Sequence, residues 1–149
     1  MIAHIWTVLC SQSIINENTK NISLIEVLEQ VTIAGPLPSA EQENSIPMTF
    51  EIVSLWSRGA DNQPSRRLAR IHFLSPSNIL IREFAYEVDL SVYQRTRTRA
   101  RINGLPFREA GQYHFNVQLR DENETDWQEV ARIPLQIEIE LPKDQGALH

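Results

Sequence analysis

Apolar and polar residues alternate with a period of two along most of this chain. Ile133, Leu135, Ile137, Ile139 and Leu141 interleave with Pro134, Gln136, Glu138 and Glu140, and Tyr113, Phe115, Val117 and Leu119 with His114, Asn116, Gln118 and Arg120. In 80–92, Leu80, Phe84, Tyr86, Val88, Leu90 and Val92 share one face, opposite Glu83, Glu87 and Asp89. In 46–56, Ile46, Met48, Phe50, Ile52 and Trp56 do the same. Side chains of a strand point alternately to the two sides of the pleat, so this pattern gives each strand one apolar and one wet face. Antiparallel sheets with one solvated side are built this way. Turn-forming clusters separate the segments at 16–21, 34–45, 58–65, 75–78, 103–110 and 121–126. The chain therefore predicts an all-β, antiparallel β-sandwich of about eight strands, over 2–10, 22–33, 46–57, 67–74, 79–92, 95–102, 111–120 and 127–141.

Two segments strain this reading. Ser23-Leu24-Ile25-Glu26 fits a helix capping box, and Leu24, Val27, Leu28 and Val31 fall on one helical stripe. A strand is preferred because the segment runs on into Val31-Thr32-Ile33 between two strand patterns. Pro134 has no N–H for a ladder, so its strand should be an edge at that point or carry a bulge.

A length of 149 residues suits one domain, expected over 1–141, with 142–149 a frayed tail starting at Pro142. A single cysteine, Cys10, excludes an internal disulfide and a cysteine-based zinc site, and reads as a small buried hydrophobe. His4, His72, His114 and His149 show no metal-ligand spacing, so no metal is expected. The sequence has no nucleophile elbow and no glycine-rich phosphate loop, and Glu83, Glu87 and Asp89 have no local apolar shield to raise a carboxyl pKa for acid catalysis. We expect no catalytic residues, no cofactor and no enzyme activity. The apolar start, 1–10, has no leading Lys or Arg and no small-residue cleavage site, and no run approaches membrane-helix length. A soluble cytoplasmic protein without a membrane partner is expected.

Arg108-Glu109-Ala110-Gly111-Gln112-Tyr113-His114-Phe115 resembles the start of strand F in immunoglobulin-like domains, whose pattern is acid, small residue, Gly, any residue, Tyr, any residue, Cys. Glu109, Gly111 and Tyr113 match, and Phe115 stands at the cysteine position. The resemblance implies an immunoglobulin-like sandwich in which the Tyr113 hydroxyl bonds back to upstream backbone, without the usual disulfide. Asn21–Ile25, Phe107 with Gly111–Val117, and Ile133–Ile137 together look like a family of small bacterial proteins grouped as a domain of unknown function. That resemblance implies a cytoplasmic sandwich and brings no activity, cofactor or site residue.

Charge adds the one sharp feature. Residues 58–108 hold ten arginines and four acids, a net of +6, whereas the remainder holds four bases and fifteen acids, a net of −11. Arg95, Arg97, Arg99 and Arg101 alternate with Thr96, Thr98, Ala100 and Ile102, so a strand sets four guanidinium groups on one face at roughly 6.6 Å intervals. If 79–92 and 95–102 form a hairpin, Asp89 lies opposite Arg99 and Glu87 opposite Arg101, and the row is neutralised as an ion-paired or solvated edge. Otherwise the row could grip an acidic protein or the phosphates of a nucleic acid. Arg66, Arg67 and Trp127 join it as candidate partner-binding residues, since exposed Trp and Arg dominate interfaces. Trp127 could instead cap the core at the sheet end. We expect a non-enzymatic interaction module that binds a partner protein, or itself, through a strand edge or the arginine-rich face. The alternative is a nucleic-acid or polyanion accessory protein using Arg95–Arg101. The acidic total and the lack of interleaved aromatics count against the latter.

Overall fold

The computed structural model describes residues 1–35 and 43–140, and the alternating segments become strands. In chain order these are β1 (Ile2–Ile15), β2 (Ile22–Val27), β3 (Gln30–Ala34), β4 (Asn44–Arg58), β5 (Ser65–Leu74), β6 (Leu80–Leu90), β7 (Arg95–Phe107), β8 (Gly111–Arg120) and β9 (Gln128–Glu140). They form two stacked sheets, a four-stranded one in the order β2-β1-β4-β7 and a five-stranded one in the order β3-β9-β8-β5-β6. Read as A-B-E for β1-β4-β7 and G-F-C-C′ for β9-β8-β5-β6, this is the immunoglobulin-like strand order. The tail 142–149 and part of the loop before β4 lie outside the described residues.

Two details differ from the alternation. Nine strands form rather than about eight, because 22–33 splits into β2 and β3. The break has a local cause: Glu26 takes φ 54°, and Leu28, whose N–H bonds Leu9 O at 2.8 Å, turns into the core. The chain thereby leaves one sheet and enters the other, where β3 lies parallel to β9; the sandwich is not purely antiparallel. The helical stripe at 23–31 is absent. Pro134 sits where its missing N–H does no harm, since β3 begins pairing β9 only at Gln136 and β9 is an edge before that point.

The inward faces meet where the pattern puts them. Phe50 of β4 meets Phe115 of β8 edge-on at 6.0 Å between ring centroids, and Phe115 stacks on Phe73 at 4.4 Å. An aromatic contact between the sheets thus stands near where antibody domains place a disulfide; each such pair adds about 0.5–1.5 kcal/mol beyond its burial. Tyr113 forms the expected corner. Its hydroxyl donates to Glu109 O at 2.6 Å and accepts from the Arg108 and Glu109 N–H groups, both at 3.0 Å. Three backbone groups that a tight turn would orphan are satisfied by one oxygen. Gly111 begins β8 with φ 140°, and a Cβ there would stand 2.8 Å from Pro76 Cγ, so the corner requires glycine.

The interior holds one polar chain. His4 Nε2 lies 2.7 Å from Thr7 Oγ1, which lies 2.7 Å from Ser54 Oγ, and the His4 ring meets Trp56 edge-on at 5.1 Å. Trp56 Nε1 donates to Thr98 Oγ1 at 2.9 Å. The Tyr86 hydroxyl is buried beside Ser54 and Thr98 without a hydrogen bond of normal geometry, and burial pushes its pKa above that of free phenol. Burial also lowers the His4 pKa below 6.5. The unfolded chain then takes up the His4 proton at a higher pH than the folded one, so this contribution to stability is complete above about pH 6.5 and is lost as the pH falls below it. Urea titrations from pH 7.5 to 5 should show stability falling with acid, and the slope should be shallower in His4→Gln. His114, whose pKa is lowered by burial and by Arg132, accounts for part of the remainder. An unchanged slope would contradict the placement of His4.

Candidate functional site

Strand β7 brings the four arginines into line. It pairs only with β4, setting Arg95, Arg97, Arg99 and Arg101 opposite Ser57, Leu55, Val53 and Glu51 on the outer face of the four-stranded sheet. The hairpin that would neutralise them does not form: β6 pairs with β5, β7 with β4, and the two strands belong to different sheets. The reason lies in their faces. Phe84, Tyr86, Val88 and Leu90 of β6 all turn inward, and so do Ala100 and Ile102 of β7; the strands meet across the core, not side by side. Arg58, not singled out in the sequence, clamps the crossing. Its backbone N–H bonds Gln94 O at 2.9 Å, its Nε bonds Leu90 O at 3.0 Å and a terminal nitrogen bonds Ser91 O at 3.2 Å. Glu87 and Asp89 are paired instead with Arg66, at 4.0 and 3.2 Å. Among the described residues no carboxylate lies within 4.0 Å of any of the four arginines on β7.

The remaining candidates are scattered. Arg66 stands on the outer face of the five-stranded sheet. Arg67 points the other way at the strand end, where its Nε lies 2.8 Å from Asp121 Oδ1. Trp127 is half-buried on the outer face of the five-stranded sheet, and its ring is covered by Arg70, at 4.1 Å from the centroid, and Arg120, at 5.1 Å. These cation–π contacts occupy the indole, so it neither caps the core nor lies beside the row on β7. Arg66, Arg67 and Trp127 do not share a site with Arg95–Arg101.

What the sequence pattern did not disclose is a cover over the arginine face. Arg97, level with Leu55 and Trp6 in the ladder, donates to Lys20 O at 2.6 Å, and Arg99 donates to Ser13 Oγ at 3.2 Å. Lys20 belongs to the turn joining β1 to β2. A straight β1 would carry that turn roughly 30 Å past Trp6, at about 3.3 Å per residue. Residues 11–27 therefore fold back over the outer face as a hairpin, with Ser13 paired to Leu24 and Ile15 to Ile22. Cys10 and Val53 point outward from the four-stranded sheet yet are wholly buried, which the covering hairpin explains. Burial and the nearby Glu51 carboxylate push the Cys10 thiol pKa up, so it stays protonated and unreactive. Between hairpin and sheet runs a cleft of about 800 Å³, floored by Trp6 and Leu55 and walled by Ile15, Ile22, Arg95 and Arg97. A second recess of about 630 Å³ continues past Arg99 to Arg101 and Glu51.

On the open side of the sandwich the edges of β6 and β7 frame a further groove of about 390 Å³, lined by Ile71, Phe84, Tyr86, Thr98 and Ala100. It lies directly behind the arginine row. Among the described residues no group of three or more His, Cys, Asp or Glu could hold a metal ion. Among the described residues no helix is long and apolar enough to cross a membrane.

No protein-family model matches the chain, and no curated protein matches it. Among solved structures it is similar to one titled "Structure of the N-terminal domain of PorA", at 10% identity and a TM-score of 0.28, over 90% of this chain and 97% of that one.

The latch makes a direct prediction. Replacing Arg97 and Arg99 together with Gln removes both hydrogen bonds to the hairpin and should speed the reaction of Cys10 with a water-soluble disulfide reagent at least tenfold, with little change in the thermal midpoint. Equal rates in the parent and the variant would show that the arginines do not hold the cover.

Proposed function

We propose that this protein is a non-enzymatic interaction module that takes an extended acidic segment of a partner protein along the free edge of β7. One observation carries the reading: a row of four guanidinium groups without carboxylate partners among the described residues stands on an edge strand backed by a mainly apolar groove. An added strand repeats its side chains at the spacing of the strand it joins. Every second residue of such a segment would lie beside Arg95, Arg97, Arg99 and Arg101. The intervening residues would turn into the groove at Phe84, Tyr86 and Ala100. The complementary sequence alternates acidic and apolar side chains. Its backbone would use the N–H and C=O groups that β7 leaves unpaired on its outer side, an edge that would otherwise need protection from aggregation.

A nucleic acid could also use the arginine row, since its phosphates repeat at a comparable interval. The groove favours a peptide, because its lining is mainly apolar, with Ile71, Phe84 and Ala100 suited to side chains rather than to a sugar–phosphate chain.

Fluorescence anisotropy with a labelled twelve-residue peptide of alternating Ile and Glu decides between them. Binding should weaken steeply from low to physiological salt. It should fall at least tenfold in Arg95→Glu/Arg101→Glu, two positions free of latch contacts, and should vanish for a peptide of the same composition with its alternation scrambled. Equal binding of the scrambled peptide, or tighter binding of single-stranded oligo(dT), would overturn the proposal.

A further inference from the structure

We infer that the cleft beneath the β1–β2 hairpin binds a small organic anion with an apolar body, such as a medium-chain carboxylate or alkyl phosphate, in a site that shares Arg95 and Arg97 with the β7 row but has its own apolar floor. A volume of about 800 Å³ is within the range of small-molecule sites. Its lining separates into two halves. Trp6 and Leu55 from the sheet and Ile15 and Ile22 from the hairpin give it an apolar floor and roof, all partly exposed. Arg95, Arg97 and Arg99 stand at one wall beside the polar turn residues 19–21, and no carboxylate is among the described lining residues. Arg97 already spends one donor on Lys20 O, which fixes its direction, while the Arg95 side chain makes no hydrogen bond or ion pair among the described residues. A guanidinium has five donors, so both can still grip an anionic head.

The two halves select the ligand together. A bare inorganic anion would leave the apolar surfaces wet, and a neutral hydrocarbon would leave the guanidinium wall without a counter-charge. A molecule with a charged head and a chain of several methylenes satisfies both. The covering hairpin argues for a single molecule lying within the cleft over a lipid still in a bilayer, because the roof stands between the arginines and any flat surface.

Isothermal titration with decanoate below its micelle concentration tests this, with inorganic phosphate, decanol and anionic phosphatidylglycerol vesicles as parallel probes. Decanoate should bind, with amide shift changes in nitrogen–proton spectra confined to the neighbourhoods of residues 6, 15, 22, 55 and 95–97. Phosphate and decanol should each bind at least tenfold more weakly. Arg95→Gln, an exposed site whose change should leave folding intact, should lower decanoate affinity about tenfold, and Leu55→Asn should do so by the same factor or more. Absence of decanoate binding, shift changes located elsewhere, phosphate binding as tight as decanoate, or binding to vesicles but not to free decanoate would each overturn the inference. Leu55 does not line the groove between β6 and β7, so loss of decanoate binding in Leu55→Asn with peptide binding intact separates this site from the edge.

Discussion

A sheet with apolar side chains on both faces has to be covered twice. The four-stranded sheet is such a sheet. Phe50, Ile52 and Trp56 of β4 point to the core, while Val53 and Leu55 between them point away, beside Val8, Cys10 and Trp6 of β1. The five-stranded sheet covers the first set. Leaving the second set in water would forgo about 25 cal/mol for each Å² of apolar surface. The chain meets this need with its own β1–β2 hairpin, and the rest of the outer surface follows. The hairpin needs an anchor, which Arg97 and Arg99 supply. It does not seal the face completely, which leaves a cleft with an apolar floor and a cationic wall. Because it shields the outer face and not the β7 edge, the arginine row keeps one side free for a partner.

The arginines serve two ends at once. Arg97 and Arg99 are structural, since each reaches across to the hairpin. Arg95 and Arg101 contribute charge without a carboxylate partner among the described residues. Lysine would serve the first purpose poorly, because its compact ammonium lacks the planar fork that can bond a carbonyl while presenting other donors. This accounts for arginine at 97 and 99. The acids that might have cancelled the row are committed elsewhere, Glu87 and Asp89 to Arg66 across the β5–β6 ladder.

Much of the fold was legible because a period of two maps directly onto a pleat. The faces of β8 and β9, the inward face of β6 from Phe84 to Leu90 and the Tyr113 corner stand where the pattern put them; at the ends of β6 a register shift buries Ile81 in place of Leu80, and Val92 lies exposed beyond the strand. Nearness in sequence makes a β6–β7 hairpin the simplest pairing, and nothing local reveals that Ser91–Gln94 crosses between sheets under the Arg58 clamp. The folded-back cover left a signal that alternation alone does not capture. Residues 2–10 are apolar almost throughout, and Ile52-Val53 and Leu55-Trp56 place apolar residues side by side, as strands buried on both faces do. Arg66, Arg67 and Trp127 were grouped with the row by composition, and only the sheet order shows that they stand elsewhere.

The most direct test is a distance between the hairpin tip and the far end of the sheet it covers. Spin labels at Asn18→Cys and Ser57→Cys, with Cys10→Ala to leave no other thiol, report it by double electron–electron resonance. A hairpin folded over the arginine face places the pair within about 20 Å, whereas a β1 that runs on straight separates them by roughly 40 Å at about 3.3 Å per residue. The short distance is the one this account predicts. A distribution centred on the long one would contradict it, and with it the cleft and the latch.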